Sequence, residues 1–310
     1  MIITGDCRET LKTLPAESVQ TCVTSPPYFG LRDYGHAAQI GLEETPDEYV
    51  AQLVAVFREV RRVLRDDGTL WLNLGDSYAS TSSYNAPAAS GGAFGRVESP
   101  RQPNAGIPAG LKPKDLIGIP WRVAFALQAD GWWLRQDIIW HKPNPMPESV
   151  RDRCTKAHEY VFLLSKSASY FYDAKAIQEP AVYVAREANV VVGDGRKALR
   201  SDVESRHRSS VAGGQSMKTD ADGTRNRRSV WTIPTRPYAG AHFATMPPEL
   251  AALCIQAGSR IGDTVLDPFL GSGTTGEVAE SLGRRWVGCE LNPEYVEQAK
   301  VRTAQMGMFA

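Results

Sequence analysis

Two short stretches of the sequence carry residue types that could perform chemistry on a polar ligand. The first is TSPPY at 24–28, which follows the apolar run Val19–Val23. Two consecutive prolines can neither continue a sheet ladder nor enter a helix, so the backbone must leave the strand in a rigid, extended form. Such a corner can hold a hydroxyl, bare carbonyl groups and an aromatic ring against a flat substrate.

The second stretch is DPFLGSGTT at 267–275, between a predicted strand, Asp263–Leu266, and a predicted helix, Gly276–Leu282. Its glycines let the backbone approach a ligand, and Glu290, at the end of the next strand, can accept hydrogen bonds from both ribose hydroxyls. The turn lacks the third glycine of dinucleotide sites and the Gly-Lys-Ser/Thr of triphosphate sites. Asp267 repels a pyrophosphate and favours a neutral or cationic ligand, and S-adenosylmethionine meets that description.

Alternating strands and helices must position these two stretches. Thr45-Pro46-Asp47-Glu48 is a strong helix start, because Thr45 can cap the helix and Glu48 completes a capping box. Asp67-Gly68 is predicted to end this helix. The strand–helix–strand repeats predict an α/β fold with a parallel sheet. Strands are predicted at Met1–Thr4, Val19–Val23, Thr69–Leu74, Trp133–Trp140, Glu159–Leu164 and Arg285–Cys289, and further helices at Arg8–Leu14, Leu116–Ala129 and Pro247–Gln256.

Charge and loop composition set two segments apart, 79–110 and 181–230. Lys plus Arg equals Asp plus Glu at 35 each, which argues against a purely electrostatic nucleic-acid binder. Residues 181–240, however, contain 11 Lys or Arg against 6 Asp or Glu. Most are arginines, which suit bidentate contacts to phosphate and guanine; a solvated loop is the alternative interpretation.

Cysteine usage and hydropathy indicate a cytoplasmic protein. The five cysteines are scattered without a Cys-X-X-Cys pair or metal-ligand spacing, which predicts free thiols and no metal site. No apolar run approaches the roughly 20 residues that span a bilayer, so no membrane partner is expected. The first residues also lack the pattern of a signal peptide.

In this order, the two motifs resemble the amino-methyltransferases of DNA, in the permuted arrangement called the β group. The resemblance rests on TSPPY, DPFLGSGTT, Glu290 with Asn292-Pro293, and HFATMP at 242–247; it covers the chain except about 80–110 and 181–230. It implies an S-adenosylmethionine-dependent enzyme with a Rossmann-like, doubly wound, mostly parallel seven-stranded sheet. The strands that end at Ser25 and Asp267 would be neighbours at the topological switch point.

The resemblance also implies roles for single residues and segments. Residues 1–180 would form the catalytic part with a loop insertion at about 79–110, residues 231–310 the cofactor-binding part, and 181–230 a target-recognition region. The target base would be held by Ser25, Pro26, Pro27 and Tyr28. The cofactor would contact Asp6, near the adenine amino group, Glu290, at the ribose, and Phe243, Thr245, Asp267, Phe269, Gly271, Gly273, Thr274, Thr275 and Asn292. Candidate DNA contacts are Arg196, Arg200, Arg206, Arg225, Arg227 and Arg228.

The expected methyl acceptor is the N4 amine of a cytosine that has left the duplex. Serine at position 25 is typical of N4-cytosine enzymes, whereas adenine enzymes of the family usually carry Asp or Asn there. Methylation at carbon 5 of cytosine is rejected, because none of the five cysteines follows a proline as that chemistry's nucleophile does.

Several alternatives stay open at the level of sequence. They are N6-adenine methylation of DNA and a catalytically inactive DNA-binding protein. Methylation of RNA or of a protein amide is disfavoured, since those enzymes generally place the proline corner after the cofactor turn. Double-stranded DNA is the expected partner. The sequence leaves open a cognate restriction endonuclease, the recognition site, and whether the chain is a monomer or a homodimer.

Overall fold

The computed structural model describes residues 1–31, 33, 35–36, 38–79, 107, 110–181, 223–235 and 246–304. The chain divides into two compact units, Met1–Ala176 with Ser229–Ala310, and Ile177–Arg228. Five predicted site residues lie outside the described residues: Arg196, Arg200, Arg206, Phe243 and Thr245.

Ten strands are present in the described part of the chain. They are β1 Ile2–Thr4, β2 Val19–Thr24, β3 Leu64–Leu74, β4 Trp133–His141, β5 His158–Ser165, β6 Glu179–Pro180, β7 Thr224–Arg225, β8 Val230–Thr232, β9 Thr264–Asp267 and β10 Arg285–Glu290. Eight of them form the sheet of the first unit, in the order β1-β10-β9-β2-β3-β5-β4-β8. Neighbouring strands are parallel except that β5 runs antiparallel to β3 and β4.

The predicted fold class, α/β with a mostly parallel sheet, is therefore confirmed. The described sheet has eight strands rather than seven, because the three residues Val230–Thr232 extend its edge beside β4.

The helices of the described residues begin and end close to their sequence signals. They are α1 Cys7–Thr10, continued by a 3-10 turn Leu11–Thr13, α2 Pro46–Val63, α3 Ile119–Ala129, α4 Pro248–Gly258, α5 Thr274–Ser281 and α6 Pro293–Ala304; a second 3-10 turn is Lys175–Ile177. The capping box of Thr45 and Glu48 is formed. Helix α2 ends at Val63 rather than at Asp67-Gly68, because Leu64 already enters β3. In the described ranges, no helix combines the length and the apolar character that a membrane span requires.

Helices cover both faces of the sheet. Alternate side chains of β3 point to opposite faces, so Leu70 and Leu72 join the core beneath α1, α2 and α3, while Trp71 lies on the side of α4. Helix α4 approaches so closely that a Cβ on Gly258 would lie 2.5 Å from Thr21 Oγ1. With both faces covered, ligands can reach the sheet at the carboxyl ends of its strands.

The pairing of β2 with β9 decides where the two motifs lie. Thr21 pairs with Val265 and Cys22 with Leu266, in parallel. On its other side β9 pairs with β10, where Asp267 lies opposite Gly288. TSPPY and DPFLGSGTT therefore leave adjacent strands at the same sheet edge, as predicted, although they are far apart in sequence.

The second unit contains a short antiparallel ribbon. In it β6 pairs with β7, Glu179 opposite Arg225. The Glu179 carboxylate accepts hydrogen bonds from Arg225 at 2.9 Å and from Arg228 at 2.6 Å. Arg227 Nε donates to the carbonyl of Ile177 at 2.7 Å. Arg225, 14% exposed, and Arg227 are thus engaged in holding the ribbon together.

Candidate active site

A cleft of about 270 Å³ opens at the carboxyl ends of β2, β9 and β10. Both motifs line it. The predicted residues that the structure brings together there are Asp6, Ser25, Pro26, Pro27, Tyr28, Asp267, Phe269, Gly271, Thr274, Thr275, Glu290 and Asn292. Residues that line the cleft without having been predicted include Asn73, Trp140, Lys142, Glu159, Thr235 and Tyr295.

A buried hydrogen bond joins the two motifs. Thr24 Oγ1 donates to Asp267 Oδ1 at 2.6 Å, across 243 positions of sequence. The same oxygen accepts the backbone N–H of Phe269 at 3.0 Å. Burial raises the pKa of Asp267, and the hydrogen bonds from Thr24, Thr275 and the Phe269 N–H oppose that rise. Asp267 thereby fixes the start of the glycine turn against the end of β2.

Glu290 closes the turn from the neighbouring strand. Its Oε2 accepts the N–H of Gly271 at 2.7 Å, and its Oε1 accepts the N–H of Asn292 at 2.8 Å. Burial raises the pKa of Glu290, and those two N–H groups partly offset the rise. Each oxygen of an ionised carboxylate has a second lone pair. The group can therefore still accept a pair of hydroxyls such as those of a ribose.

The two glycines of the turn, Gly271 and Gly273, have different structural roles. Gly271 has a φ of 54°, and a Cβ there would meet nothing nearer than the Phe269 carbonyl oxygen at 4.0 Å, so the backbone faces open space in the cleft. Gly273 has a φ of 86° at the N-cap of α5, and its Cβ would lie 3.0 Å from Ala299 of α6. Gly273 therefore does not line the cleft; it lets α6 pack behind the turn.

Arg302, which was not among the predicted site residues, supports the turn from α6. Its Nη1 donates to Ser272 Oγ at 3.2 Å and to Thr274 Oγ1 at 2.8 Å. Its Nε pairs with Glu277, and the side chain is only 9% exposed. A basic residue near the end of a helix is common, so the sequence offers no signal that separates Arg302 from a surface arginine.

The proline corner is held by neighbours on both sides. Tyr49, from the buried face of α2, donates its hydroxyl hydrogen to the Pro27 carbonyl at 2.8 Å. The Tyr28 ring lies against Gly75, just past β3, where a Cβ would come within 2.6 Å of Tyr28 Cε2. A side chain at position 75 would therefore displace the ring from the cleft wall.

A polar network surrounds the Tyr28 hydroxyl. Its oxygen lies 2.7 Å from Glu159 Oε2, to which it donates, and it accepts from Ser25 Oγ at 3.3 Å. Burial and the charge of Glu159 raise the pKa of Tyr28 well above its ordinary value, so the phenol stays neutral. Glu159 also accepts from Asn73 Nδ2 at 3.1 Å and pairs with Lys142. Two features of the sequence could have indicated this network. Asn73 is a polar residue inside an apolar strand, and Lys142 lies in a proline-rich stretch after the predicted strand that ends at Trp140.

Asp6 also lines the cleft and is the N-cap of α1. Its carboxylate accepts the Arg8 N–H at 2.9 Å and the Arg8 guanidinium at 2.6 Å. Burial works against its ionisation, but the hydrogen bonds and charge of Arg8 outweigh burial and lower the pKa of Asp6. Asp6 is thus an ionised acceptor in the cleft. Its contact with the adenine amino group stays a prediction.

Sequence comparison decides the family. The DNA methylase family N6_N4_Mtase matches residues 19–301. The chain belongs to this DNA methylase family. Among its relatives, the Type II methyltransferase M.SmaI of Serratia marcescens is 51% identical over 97% of this chain and 89% of the relative. The Type II methyltransferase M.XycI of Xanthomonas campestris pv. cyanopsidis is 50% identical over 96% and 85%.

Solved structures share the methylase fold and identify the cofactor. A DNA modification methylase of Thermus thermophilus, TTHA0409, complexed with S-adenosyl-L-methionine, has a TM-score of 0.60 and 25% identity over 98% of this chain and 93% of that one. The PvuII DNA methyltransferase, named cytosine-N4-specific, has a TM-score of 0.64 at 21% identity over 97% and 85%. S-adenosylmethionine is the cofactor of this methylase, and the paired Glu290 acceptors and the open turn at Gly271 fit its ribose.

Proposed function

We propose that this DNA methyltransferase methylates the exocyclic N4 amine of a cytosine flipped out of double-stranded DNA. The observation that carries the proposal is the Ser25 hydroxyl, at the proline corner and in the same cleft as Asp267 and Glu290. A short hydroxyl suits the amine beside the N3 atom of cytosine. Because Ser25 donates its own hydrogen to Tyr28, its oxygen lone pairs remain for hydrogens of the base.

The corner would act by positioning the amine. An exocyclic amine is a poor nucleophile because its lone pair is delocalised into the ring. Acceptors aimed at its two hydrogens, here Ser25 Oγ and the Pro26 carbonyl, draw the nitrogen toward a tetrahedral form. S-adenosylmethionine supplies an electrophilic methyl group when bound. Tyr49 holds the corner rigid, and the Tyr28 ring would stack on the base, so positioning and electrostatics do most of the work.

The remaining cofactor contacts complete the proposal. Glu290 would hold the ribose hydroxyls, and Asp6 the adenine amino group. Asp267 and the open backbone of Gly271 would shape the methionine side of the pocket, with Phe269, Thr274, Thr275 and Asn292 around it. Phe243 and Thr245 are proposed at the methionyl end on the family resemblance alone.

The direct test is chemical analysis of methylated DNA. Cells expressing the chain are expected to yield N4-methylcytosine at one short sequence, which methylation-aware sequencing and chromatography of nucleosides identify together. N6-methyladenine at that sequence would contradict the choice of base and support the alternative acceptor. No modification, with DNA binding retained, would support the inactive DNA-binding protein instead.

We also propose that residues 181–230 read the DNA sequence and that the enzyme protects its site from a cognate restriction endonuclease. Relatives that carry the Type II name support the second point. The proposed DNA contacts are Arg196, Arg200, Arg206, Arg225, Arg227 and Arg228. In the structure, Arg225 and Arg228 also pair with Glu179, and Arg227 donates to the Ile177 carbonyl.

Replacing Arg196, Arg200 and Arg206 together by alanine is expected to weaken DNA binding and leave the affinity for S-adenosylmethionine unchanged. Each arginine that neutralises a phosphate contributes about 0.9 to the slope of log affinity against log salt, so the slope should become shallower. Fluorescence anisotropy with labelled DNA measures the DNA affinity and its dependence on salt concentration. Arg58→Ala, which removes an exposed ion pair with Asp130, is the control. Unchanged DNA affinity in the triple variant would refute the assignment.

A further inference from the structure

A continuous line of hydrogen bonds leads away from the base-holding hydroxyl. Ser25 Oγ donates to the Tyr28 oxygen at 3.3 Å, and the Tyr28 oxygen donates to Glu159 Oε2 at 2.7 Å. Asn73 Oδ1 also lies 3.3 Å from the Tyr28 oxygen. A phenol has one hydrogen to donate, and the shorter contact to a charged acceptor takes it. The line therefore runs from Ser25 through Tyr28 to Glu159.

Glu159 is fixed at the end of that line. Asn73 Nδ2 donates to its Oε2 at 3.1 Å and is itself tied to the Tyr160 carbonyl at 3.1 Å. Lys142 pairs with Oε1 and lies 4.4 Å from the centre of the Trp140 ring. The side chains of Glu159 and Lys142 are 15% and 17% exposed. The carboxylate is therefore held in one position and still has an edge toward solvent.

Methylation of an amine requires that a proton leave. As the nitrogen–carbon bond forms, the carbon–sulfur bond of the methyl donor breaks and its electron pair stays on sulfur. The nitrogen then bears two hydrogens, the methyl group and a positive charge. A serine hydroxyl and a proline carbonyl can accept hydrogen bonds from it, but both are far too weak as bases to keep its proton at neutral pH. A carboxylate within reach of the corner is a suitable acceptor for this proton.

We propose that Glu159 is the final acceptor of this proton, which reaches it through Ser25 and Tyr28. The amine proton passes to Ser25 Oγ while the Ser25 proton passes to the Tyr28 oxygen and the Tyr28 proton to Glu159 Oε2. Ser25 and Tyr28 end neutral, each having exchanged one proton for another, and Glu159 ends protonated and returns the proton to solvent. This inference rests on the proposed function, since it needs an amine at Ser25. Glu159 acts through Tyr28 and is therefore a positioning and relay residue.

Single-turnover methylation with saturating DNA and S-adenosylmethionine tests the relay. Glu159→Gln and Tyr28→Phe are each expected to lower the rate roughly 10²-fold, the lower range for general acid–base catalysis, with both ligand affinities within twofold of the wild type. The double variant should be no slower than the slower single variant, because the two groups act in one line. The solvent deuterium isotope effect of the wild type should be lost in Glu159→Gln. Glu59→Gln, on the outer side of α2 with Arg62, is the matched control.

A readout independent of turnover is NMR of protein labelled at the tyrosine Cζ carbon. The signal lost in Tyr28→Phe is expected to shift in Glu159→Gln and to stay in place in Glu59→Gln. A Glu159→Gln rate within threefold of the wild type, or additive effects in the double variant, would overturn the relay. Loss of ligand binding in Glu159→Gln would overturn it as well, because that marks a structural role. If Ser25→Ala also kept full transfer, the proposed function would fail together with the relay.

Discussion

Ser25→Ala is expected to lower the rate of methyl transfer by roughly 10²- to 10³-fold while leaving the affinity for S-adenosylmethionine nearly intact. The range is that found when a single preorganised hydrogen-bonding group is removed from an active site. Ser25 lines the cleft just after β2, whereas most of the proposed cofactor contacts come from the turn after β9 and the end of β10. The substitution removes one oxygen atom from a proline-stiffened corner and leaves its backbone unchanged. Single-turnover transfer from labelled cofactor, with isothermal titration of the cofactor, measures both effects.

Two further variants sharpen this experiment. Tyr28→Ala is expected to lose transfer as well, because it removes the proposed stacking ring and the acceptor of the Ser25 hydrogen. Ser18→Ala, whose hydroxyl donates to the Pro15 carbonyl outside the cleft, should behave as the wild type. Transfer at the wild-type rate by Ser25→Ala would contradict the assignment of the corner. A parallel loss of cofactor binding would show that Ser25 acts on the fold of the cleft instead.

Glu290→Ala should have the second large effect, a loss of roughly 10²-fold or more in affinity for S-adenosylmethionine. Hydrogen bonds to a charged group contribute about 1.5–3 kcal/mol each, and about 1.4 kcal/mol is a factor of ten in affinity. The variant would remove the proposed ribose acceptor and free the N–H groups of Gly271 and Asn292 that shape the turn. Isothermal titration measures the affinity. Glu294→Ala, an exposed position on the following helix, provides the comparison and should bind normally.

The pH dependence of the affinity for S-adenosylmethionine is a second test of Glu290 as the ribose acceptor. Burial raises the pKa of Glu290 and of Asp267. Only the ionised forms accept fully from ribose hydroxyls and attract a cationic ligand. As pH falls, both carboxyls take up protons at a higher pH than exposed acids would, so cofactor affinity should decline in mildly acidic solution. In Glu290→Ala that decline should be smaller. An affinity independent of pH across the acidic range would count against an ionised Glu290 in the site.

The elements that could be predicted from sequence are those whose signals are local. The capping box at Thr45 and the prolines after β2 act within a few residues, and both are present in the fold. The adjacency of the two motifs followed from the family resemblance together with the rule for parallel sheets. The end of α2 was placed four residues too late, because Leu64 suits a buried strand as well as a buried helix face.

The contacts that could not be predicted are long-range and come from ordinary positions. Glu159 lies near the start of β5 and Asn73 near the end of β3, and only the antiparallel pairing of these strands brings both side chains to Tyr28. Arg302 reaches the glycine turn because α6 packs behind it, which the pattern of α6 alone does not reveal. The engagement of Arg225 with Glu179 depends in the same way on a ribbon between residues 46 positions apart.

The hydrogen bond between Thr24 and Asp267 also has a consequence for synthesis of the chain. Strand β1 pairs with β10, and β2 pairs with β9, so β1 and β2 find these partners only after Thr264–Glu290 have been synthesised. A chain released before Thr264 lacks the glycine turn and Glu290, and Thr24 is left without its carboxylate. Such a chain is expected neither to bind the cofactor nor to methylate DNA. Synthesis of the chain through Glu290 is therefore expected to be a condition for modification.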